Sequence, residues 1–182
     1  MSEIKVAARY AKSLIDLALE QKALEEIKND MELFVNTLKA NSELQAVVKN
    51  PIIPLDKKNA ILNAVFGDKI NKVTSTFLKL VVNKGRGEII YGVAKEFIVQ
   101  YNQFKNIVTA KVISAAPLSE EARNEMIIKV KAVTGGEVIL NVEIDVDLIG
   151  GFILTVGDKQ FDSSIATSLG KVKKEFAQKV IA

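Results

Sequence analysis

The first half of the chain has the hydrophobic spacing of α-helices. Ile4, Ala7, Ala11, Leu14 and Ala18 recur at intervals of three and four residues, which places their side chains on one face of a helix. Similar spacing continues in five further segments, at residues 24–39, 44–48, 54–66, 70–84 and 88–104. Six helices with short connections predict an antiparallel bundle over residues 1–104.

The hydrophobic pattern changes after Lys105. Residues 107–116 are rich in β-branched side chains and predict a strand, and residues 138–144 alternate between apolar and polar positions with the strand period of two. Residues 152–156 and 159–161 flank Gly157-Asp158, a dipeptide suited to a tight hairpin turn. Helices are predicted from Ser119 and from about Ser163. Residues 105–182 are therefore predicted to form a small α+β module, and the fold class is α+β.

The composition narrows the possible chemistry. The 182 residues include no histidine, cysteine or tryptophan, which excludes Ser/His/Asp triads, cysteine nucleophiles, structural zinc sites and disulfides. Mean hydropathy is +0.17, yet no stretch approaches the roughly 18 uncharged apolar residues of a membrane span. Charged residues also interrupt the N-terminal segment, so no signal peptide is predicted. We expect an intracellular protein without a membrane-spanning helix.

Four aspartates suggest one candidate metal site. Asp145, Asp147, Asp158 and Asp162 could supply carboxylate oxygens to a divalent cation. However, three of them lie in or beside predicted turns, where aspartate is favoured for local hydrogen bonds. The structural interpretation is preferred, and a metal-dependent enzyme remains the weaker alternative.

Nucleic-acid binding is the main alternative function. The sequence pI is about 8.9, and the last predicted helix carries Lys171, Lys173, Lys174 and Lys179. Residues 105–182 nevertheless contain ten basic and ten acidic residues, and no aromatic stacking set accompanies the lysines. A two-domain nucleic-acid-binding protein is thus retained only as the alternative.

Two helices carry more apolar residues than one buried face requires. The first has apolar or small side chains at positions 4, 6, 7, 8, 10, 11, 14, 15, 17, 18 and 19, and the fifth has Phe77, Leu78, Leu80, Val81 and Val82. Both helices could be buried on several sides of a bundle. Alternatively, they could leave an apolar groove into which a partner helix docks. The pattern alone leaves both interpretations open.

Several short motifs, in order, cover almost the whole chain. They are residues 8–14 (ARYAKSL), 50–51 (NP), 66–67 (FG), 77–78 (FL), 83–86 (NKGR), 112–118 (VISAAPL), 147–152 (DLIGGF), 157–158 (GD) and 161–164 (FDSS). In this order and spacing, the chain resembles the delta-subunit family of bacterial F-type ATP synthases, the counterpart of the mitochondrial oligomycin-sensitivity-conferring protein. Ala8 departs mildly from the family pattern, in which many members have a second basic residue or proline beside Arg9.

The resemblance implies a stator subunit with no catalytic residue, cofactor or metal. Residues 1–104 would bind the N-terminal helices of the alpha subunits in the catalytic head, and residues 105–182 would bind the b subunits of the peripheral stalk. The head would then resist rotation during proton-driven ATP synthesis. One copy per complex is expected, peripheral to the cytoplasmic face of the bacterial cell membrane, without direct membrane insertion and without nucleic acid.

The resemblance also implies which residues contact the alpha and b subunits. In the family the alpha-subunit helices pack chiefly on the first and fifth helices, which are the two with the apolar surplus. The predicted alpha-subunit contacts are Tyr10, Ala11, Ser13, Leu14, Leu17, Phe77, Leu80 and Lys84. The b-subunit contacts rest almost wholly on the resemblance, and they are Gly150, Gly151, Leu169, Val172 and Phe176.

Overall fold

The chain divides into two compact units, Met1–Phe104 (unit 1) and Lys105–Ala182 (unit 2). The computed structural model describes the backbone of residues 3–180 and the side chains of residues 3–173. Unit 1 is helical, and unit 2 combines a four-stranded sheet with helices. The α+β class predicted from the sequence is confirmed.

From residue 3 onward, where the structure describes it, unit 1 contains six α-helices and one 3₁₀ turn. They are α1 (Glu3–Glu20), α2 (Leu24–Ala40), α3 (Ser42–Lys49), α4 (Leu55–Phe66), α5 (Lys72–Asn83), the 3₁₀ turn (Gly87–Ile89) and α6 (Ile90–Phe104). The sixth predicted helix therefore starts with a tighter turn. Helix α6 packs mainly against α1 and α2, whereas α5 packs mainly against α4.

Large side chains fill the core of unit 1. Phe34, Phe66 and Phe97 are fully buried, together with Leu14, Ile27 and several other aliphatic residues. The Phe34 and Phe66 rings lie 5.0 Å apart, centroid to centroid, with a tilt of 44°. Aromatic packing of this kind adds to the gain from burying apolar area, so unit 1 has a substantial core of its own.

Up to residue 180, the last that the structure describes, unit 2 contains four strands and two α-helices. They are β1 (Ile107–Ser114), α7 (Glu120–Thr134), β2 (Glu137–Ile144), β3 (Phe152–Val156), β4 (Lys159–Asp162) and α8 (Ile165–Val180), with a 3₁₀ turn at Val146–Leu148. The sheet order is β2-β1-β3-β4. Strands β1 and β2 are parallel, and the other two pairs are antiparallel.

The sheet of unit 2 uses the period of two to build a small core. Ala110 and Val112 of β1 are fully buried and pack with Leu140 of β2 and Val130 of α7. Helix α7 starts where the Ser119 hydroxyl accepts a hydrogen bond from the Ala122 amide, at 3.2 Å, which satisfies one free N–H at the helix start. It ends at Gly135, whose φ of 71° suits glycine.

No helix in the part of the chain that the structure describes is long and apolar enough to cross a membrane.

Candidate partner-binding surfaces

A groove of about 300 Å³ lies between α1 and α5. Its lining is mainly apolar and consists of Leu17, Gln21, Lys72, Val73, Thr76, Phe77 and Leu80. The groove exists because α1 packs on α6 while α5 packs on α4, which leaves the facing sides of the two helices only partly covered. Leu80 is 47% exposed.

Contacts between Tyr10, Phe77 and Arg86 join the two helices. The Tyr10 and Phe77 rings meet edge to face, with centroids 6.3 Å apart. The Arg86 guanidinium donates a hydrogen bond to the Tyr10 hydroxyl at 2.9 Å, and its central carbon lies 5.5 Å from the centroid of the same ring. Arg86 follows the Gly85 turn that ends α5, where its backbone amide donates to the Val81 carbonyl. This cluster ties the C-terminal end of α5 to α1.

The other end of α5 is tied to α2. Asp30, a buried residue of α2, accepts hydrogen bonds through Oδ2 from the Asn71 amide at 2.8 Å and from the Thr74 hydroxyl at 2.6 Å. The Asn71 side chain accepts from the Val73 amide and donates to Glu26. The free N–H groups at the start of α5 thus have partners within the helix and from α2. Helix α5 is positioned at both ends.

Most predicted alpha-subunit contacts lie at this groove or beside it. Leu17, Phe77 and Leu80 line it, and Tyr10 contacts Phe77. Ser13 is exposed, and its hydroxyl donates to the Arg9 carbonyl of its own helix. Lys84 is exposed at the C-cap of α5, one turn beyond Leu80.

Ala11 and Leu14 do not lie on the groove surface. Both are fully buried, with zero exposure. They belong to the apolar stripe of α1, which packs on α6 inside unit 1. Both side chains are covered within the bundle, and their predicted contact with the alpha subunits stays a prediction.

The structure adds residues that the sequence interpretation missed. Val73, Thr76, Lys72 and Gln21 also line the groove, and Arg86 braces Tyr10. Helical spacing is a signal for two of them, because Val73 and Thr76 precede Phe77 and Leu80 by four residues and so lie on the same face of α5. The hydrogen bond between Arg86 and Tyr10 joins residues that are far apart in the sequence, so no local sequence pattern predicts it.

Unit 2 contains a larger cavity of about 560 Å³ beside β1, β3 and α7. Gly150 and Gly151 line it, with Met126, Phe152, Leu154 and other mainly apolar residues. A Cβ on Gly150 would lie 2.6 Å from the Ile165 side chain, and one on Gly151 would lie 2.2 Å from the Ser163 carbonyl. Both glycines are needed for this close approach to the start of α8.

Ile149 precedes these glycines in an unusual conformation. Its φ is 63°, a value that is rare for a β-branched residue. Its side chain is 67% exposed and forms part of the cavity lining. The segment is held by hydrogen bonds, because the Ile149 amide donates to the Val146 carbonyl and the Gly150 carbonyl accepts from the Ile165 amide.

Helix α8 carries an exposed apolar stripe. Ile165, Leu169 and Val172 share one face by their spacing of four and three residues, and each is about half exposed. Phe176 continues the same spacing, but its side chain lies outside the described residues. Of the predicted b-subunit contacts, Leu169 and Val172 thus lie on the helix stripe, whereas Gly150 and Gly151 lie in the cavity wall.

The aspartates of unit 2 have local structural roles. Asp145 accepts a hydrogen bond from the Asp147 amide, and Asp162 accepts from the Ser164 amide and the Thr167 hydroxyl. These hydrogen bonds, led by those from Ser164, lower the pKa of the Asp162 carboxyl below its usual value. Within the described residues, no group of three or more acidic side chains is arranged to hold a metal ion.

The lysines of α8 show no clustered basic surface in the described region. Lys171 and Lys173 are exposed, and the side chains of Lys174 and Lys179 lie outside the described residues. Two exposed lysines on a helix are common on protein surfaces, so this helix adds no support for nucleic-acid binding.

Comparisons with known proteins agree with one family along nearly the whole chain. The family model for the ATP synthase delta (OSCP) subunit matches residues 6–176. ATP synthase subunit delta of Cytophaga hutchinsonii is 39% identical over 181 residues, covering 100% of this chain and 99% of that protein. The chloroplastic ATP synthase subunit delta of Ochrosphaera neapolitana is 36% identical over 173 residues, covering 94% and 97%.

A solved structure shares the fold. A chain of the Toxoplasma gondii mitochondrial ATP synthase hexamer, determined by cryo-EM, is similar with a TM-score of 0.73 and 23% identity, over 94% of this chain and 97% of that one. The family match and the full-length relatives support an ATP synthase subunit rather than the alternative of a nucleic-acid-binding protein. The chain belongs to the ATP synthase delta (OSCP) subunit family, and it is a non-catalytic stator subunit of the F-type ATP synthase.

Proposed function

We propose that unit 1 binds N-terminal helices of the alpha subunits, with one of them in the groove between α1 and α5, and that unit 2 binds the b subunits. One copy per complex would then join the catalytic head to the peripheral stalk at the cytoplasmic face of the membrane. The observation that supports the first contact most strongly is the groove itself, because it is mainly apolar, partly exposed and bounded by α5, whose two ends are held by hydrogen bonds.

The size of the groove suits a helix. Its lining spans about one turn at the C-terminal end of α1, from Leu17 to Gln21, and about two turns on α5, from Lys72 to Leu80. An amphipathic helix presents apolar side chains at intervals of three, four and seven residues, which matches such a surface. Burial of apolar area at roughly 25 cal/mol per Å² favours docking, although part of this gain is lost to the entropy of association.

A charge substitution in the groove tests this assignment. Leu80→Asp places an unpaired carboxylate at the centre of the proposed interface, and we expect it to weaken binding of an alpha-subunit N-terminal peptide to the full chain by about tenfold or more. Calorimetry measures the affinity, and circular dichroism confirms that the helices remain. Tyr10→Asp should act similarly, and it also removes the contact with Arg86.

Leu33→Asp is the matched control for this experiment. Leu33 is an exposed leucine of α2, with 38% exposure, and it does not line the groove. If both leucine variants bind the peptide as the unmodified chain does, the alpha-subunit contact lies elsewhere on unit 1.

The b-subunit contact is proposed for the exposed stripe of α8 together with the neighbouring cavity wall. Ile165 connects the two features, because it begins the stripe and its side chain packs against Gly150. A helix with apolar residues on its exposed face is a common docking element for another helix. This assignment also carries over from the family resemblance, in which the C-terminal module holds the stalk.

Point substitution on α8 tests the b-subunit contact more cleanly than deletion of residues 163–182. Such a deletion also removes the hydrogen bond from Ile165 to Gly150, so it would disturb the cavity wall itself. We expect Leu169→Asp to abolish co-purification with a b-subunit fragment while alpha-peptide binding is retained. Ile128→Asp on the exposed side of α7 is the control, and equal loss in both variants would contradict the assignment to α8.

A further inference from the structure

The groove between α1 and α5 is bordered by positive charge. From residue 69 to residue 87 the chain contains Lys69, Lys72, Lys79, Lys84 and Arg86 and no acidic residue. Lys72 is the charged residue of the groove lining. None of the ion pairs found among the described side chains involves these five cations.

Two of these lysines lie at opposite ends of the exposed face of α5. Lys72 is its first residue, and Lys84 is its C-cap. Twelve residues of helix separate them, which corresponds to about 18 Å along the axis. Between them, Val73, Phe77 and Leu80 supply the apolar contact surface. Two cations about three turns apart therefore flank the apolar residues of α5.

Lys72 occupies a position that is unfavourable for a cation. The start of a helix carries partial positive charge, so acidic residues stabilise it and basic residues do not. Helices α1, α2, α3, α4 and α7 each have an acidic residue in the first turn, whereas α5, α6 and α8 have none. Asp30 and Glu26 of α2 supply carboxylates at the start of α5 through their hydrogen bonds to Asn71, but neither side chain lines the groove.

Two of the three acidic residues of α1 lie away from the groove lining, and the third, Glu20, directly precedes Gln21 at its edge. Asp16 lines a separate hollow formed by α1 and α6, with Arg9 and Lys12. Glu3 lines another, near the start of α6. Neither carboxylate belongs to the groove lining.

We propose that the groove selects an amphipathic partner helix that has carboxylates at both ends of its apolar stripe, about three turns apart, one facing Lys72 and the other facing Lys84. This inference rests on the proposed alpha-subunit contact and adds a charge requirement to it. The apolar stripe supplies affinity, while the two cations steer the helix and set its position along the groove, because complementary charges act mainly on association rate and register.

Charge reversal on α5 tests the requirement in the full chain. The probe is the N-terminal peptide of the alpha subunit from the same synthase, used unmodified and with every Asp and Glu replaced by its amide. We expect Lys72→Glu combined with Lys84→Glu to weaken binding of the unmodified peptide by about three- to thirty-fold at low salt. Most of the loss should appear in the association rate, and added salt should reduce it.

Lys79→Glu is the matched control for Lys72→Glu, because it makes the same charge change on the same helix and Lys79, unlike Lys72, does not line the groove. The amide peptide should bind the unmodified chain and the double variant equally. A peptide with lysines in place of its carboxylates should recover affinity with the double variant. Thermal denaturation of Lys72→Glu, Lys84→Glu and the double variant should show that each stays folded at the temperature of the binding assay, because both lysines are exposed and form no ion pair among the described side chains.

Two outcomes would overturn the charge requirement while the groove assignment stands. One is equal affinity of the amide and unmodified peptides, and the other is equal weakening by Lys79→Glu and by Lys72→Glu. If the unmodified peptide does not bind the unmodified chain at all, the groove assignment fails and the charge requirement fails with it.

Discussion

The two units differ in how they distribute their apolar side chains. Of the twelve largest fully buried side chains among the described residues, eleven lie in unit 1, and Val112 alone lies in unit 2. Of the eighteen large hydrophobic residues that are exposed in the described region, ten lie in the shorter unit 2. Small domains bury a smaller share of their surface, and large exposed apolar areas commonly mark interaction sites. Unit 1 thus presents a groove on a well-filled core, whereas unit 2 leaves apolar surface available for a partner to cover.

Truncation of a core aromatic residue should give the largest difference in stability between the two units. We expect Phe34→Ala to destabilise unit 1 by about 3–5 kcal/mol, because it removes a fully buried ring that packs on Phe66. Hydrogen exchange measured by mass spectrometry should show faster exchange in α2 and α6, while β1 keeps its protection.

The reciprocal change is Leu140→Ala in the small core of unit 2. It should cost about 2–5 kcal/mol and increase exchange in β1 and β2, with α6 unaffected. If either variant accelerates exchange equally in both units, they unfold as one cooperative body and the contrast between them is wrong.

Loss of the Asp30 carboxylate should have an intermediate effect. Asp30→Ala leaves the Asn71 amide and the Thr74 hydroxyl without their acceptor, which we expect to cost about 1–3 kcal/mol. Exchange should increase in the first turn of α5 more than in α6. Asp16→Ala, at an exposed position of α1, is the control and should change stability little. Equal effects of the two substitutions would show that Asp30 does not anchor α5.

Removal of the N-cap of α7 should destabilise unit 2 by less than the core substitution does. Ser119→Ala deletes the hydroxyl that accepts from the Ala122 amide, and such caps are worth about 1 kcal/mol. Urea denaturation followed by circular dichroism measures the loss. Ser119→Asp should retain the cap, because its carboxylate can accept the same hydrogen bond. A similar loss in both variants would mean that the cap contributes nothing.

The smallest effect is expected from the Asp162 carboxyl, which is exposed at the start of α8. Folding lowers its pKa from the usual value of 3.8 through hydrogen bonds from Ser164 and Thr167. The ionised form therefore stabilises unit 2 at pH values above 3.8, and this contribution is lost as the pH falls through the lowered pKa. Thr167→Val removes one donor, so the pKa of Asp162 should rise in an NMR titration. An unchanged pKa would contradict the role of Thr167.

The sequence predicted the elements well because their signals are local. The three- and four-residue spacing of apolar positions located the helices of unit 1, and Gly157-Asp158 located the hairpin between β3 and β4. Errors fell at boundaries, where tertiary contacts decide. The β1 strand ends at Ser114, two residues earlier than predicted, as the Ser114 hydroxyl donates to the Ala116 carbonyl.

The surface was harder to predict than the fold. Apolar residues on α1 indicate that something packs there, but they do not distinguish α6 from an outside partner. Leu14 packs within the bundle and Leu17 lies in the groove, although both were assigned to the same surface. The anchors Asp30 and Arg86 depend on contacts 41 and 76 residues apart in the chain, and no short pattern encodes such a distance.

The attachment of α5 at both ends has a mechanical consequence. One end is hydrogen-bonded to α2 through Asp30, and the other is joined to α1 through Arg86 and Tyr10. A rod supported at both ends bends less under a sideways load than a rod supported at one. A force applied to the middle of α5 is therefore divided between two other helices, which gives this wall of the groove greater stiffness in a stator subunit that resists torque.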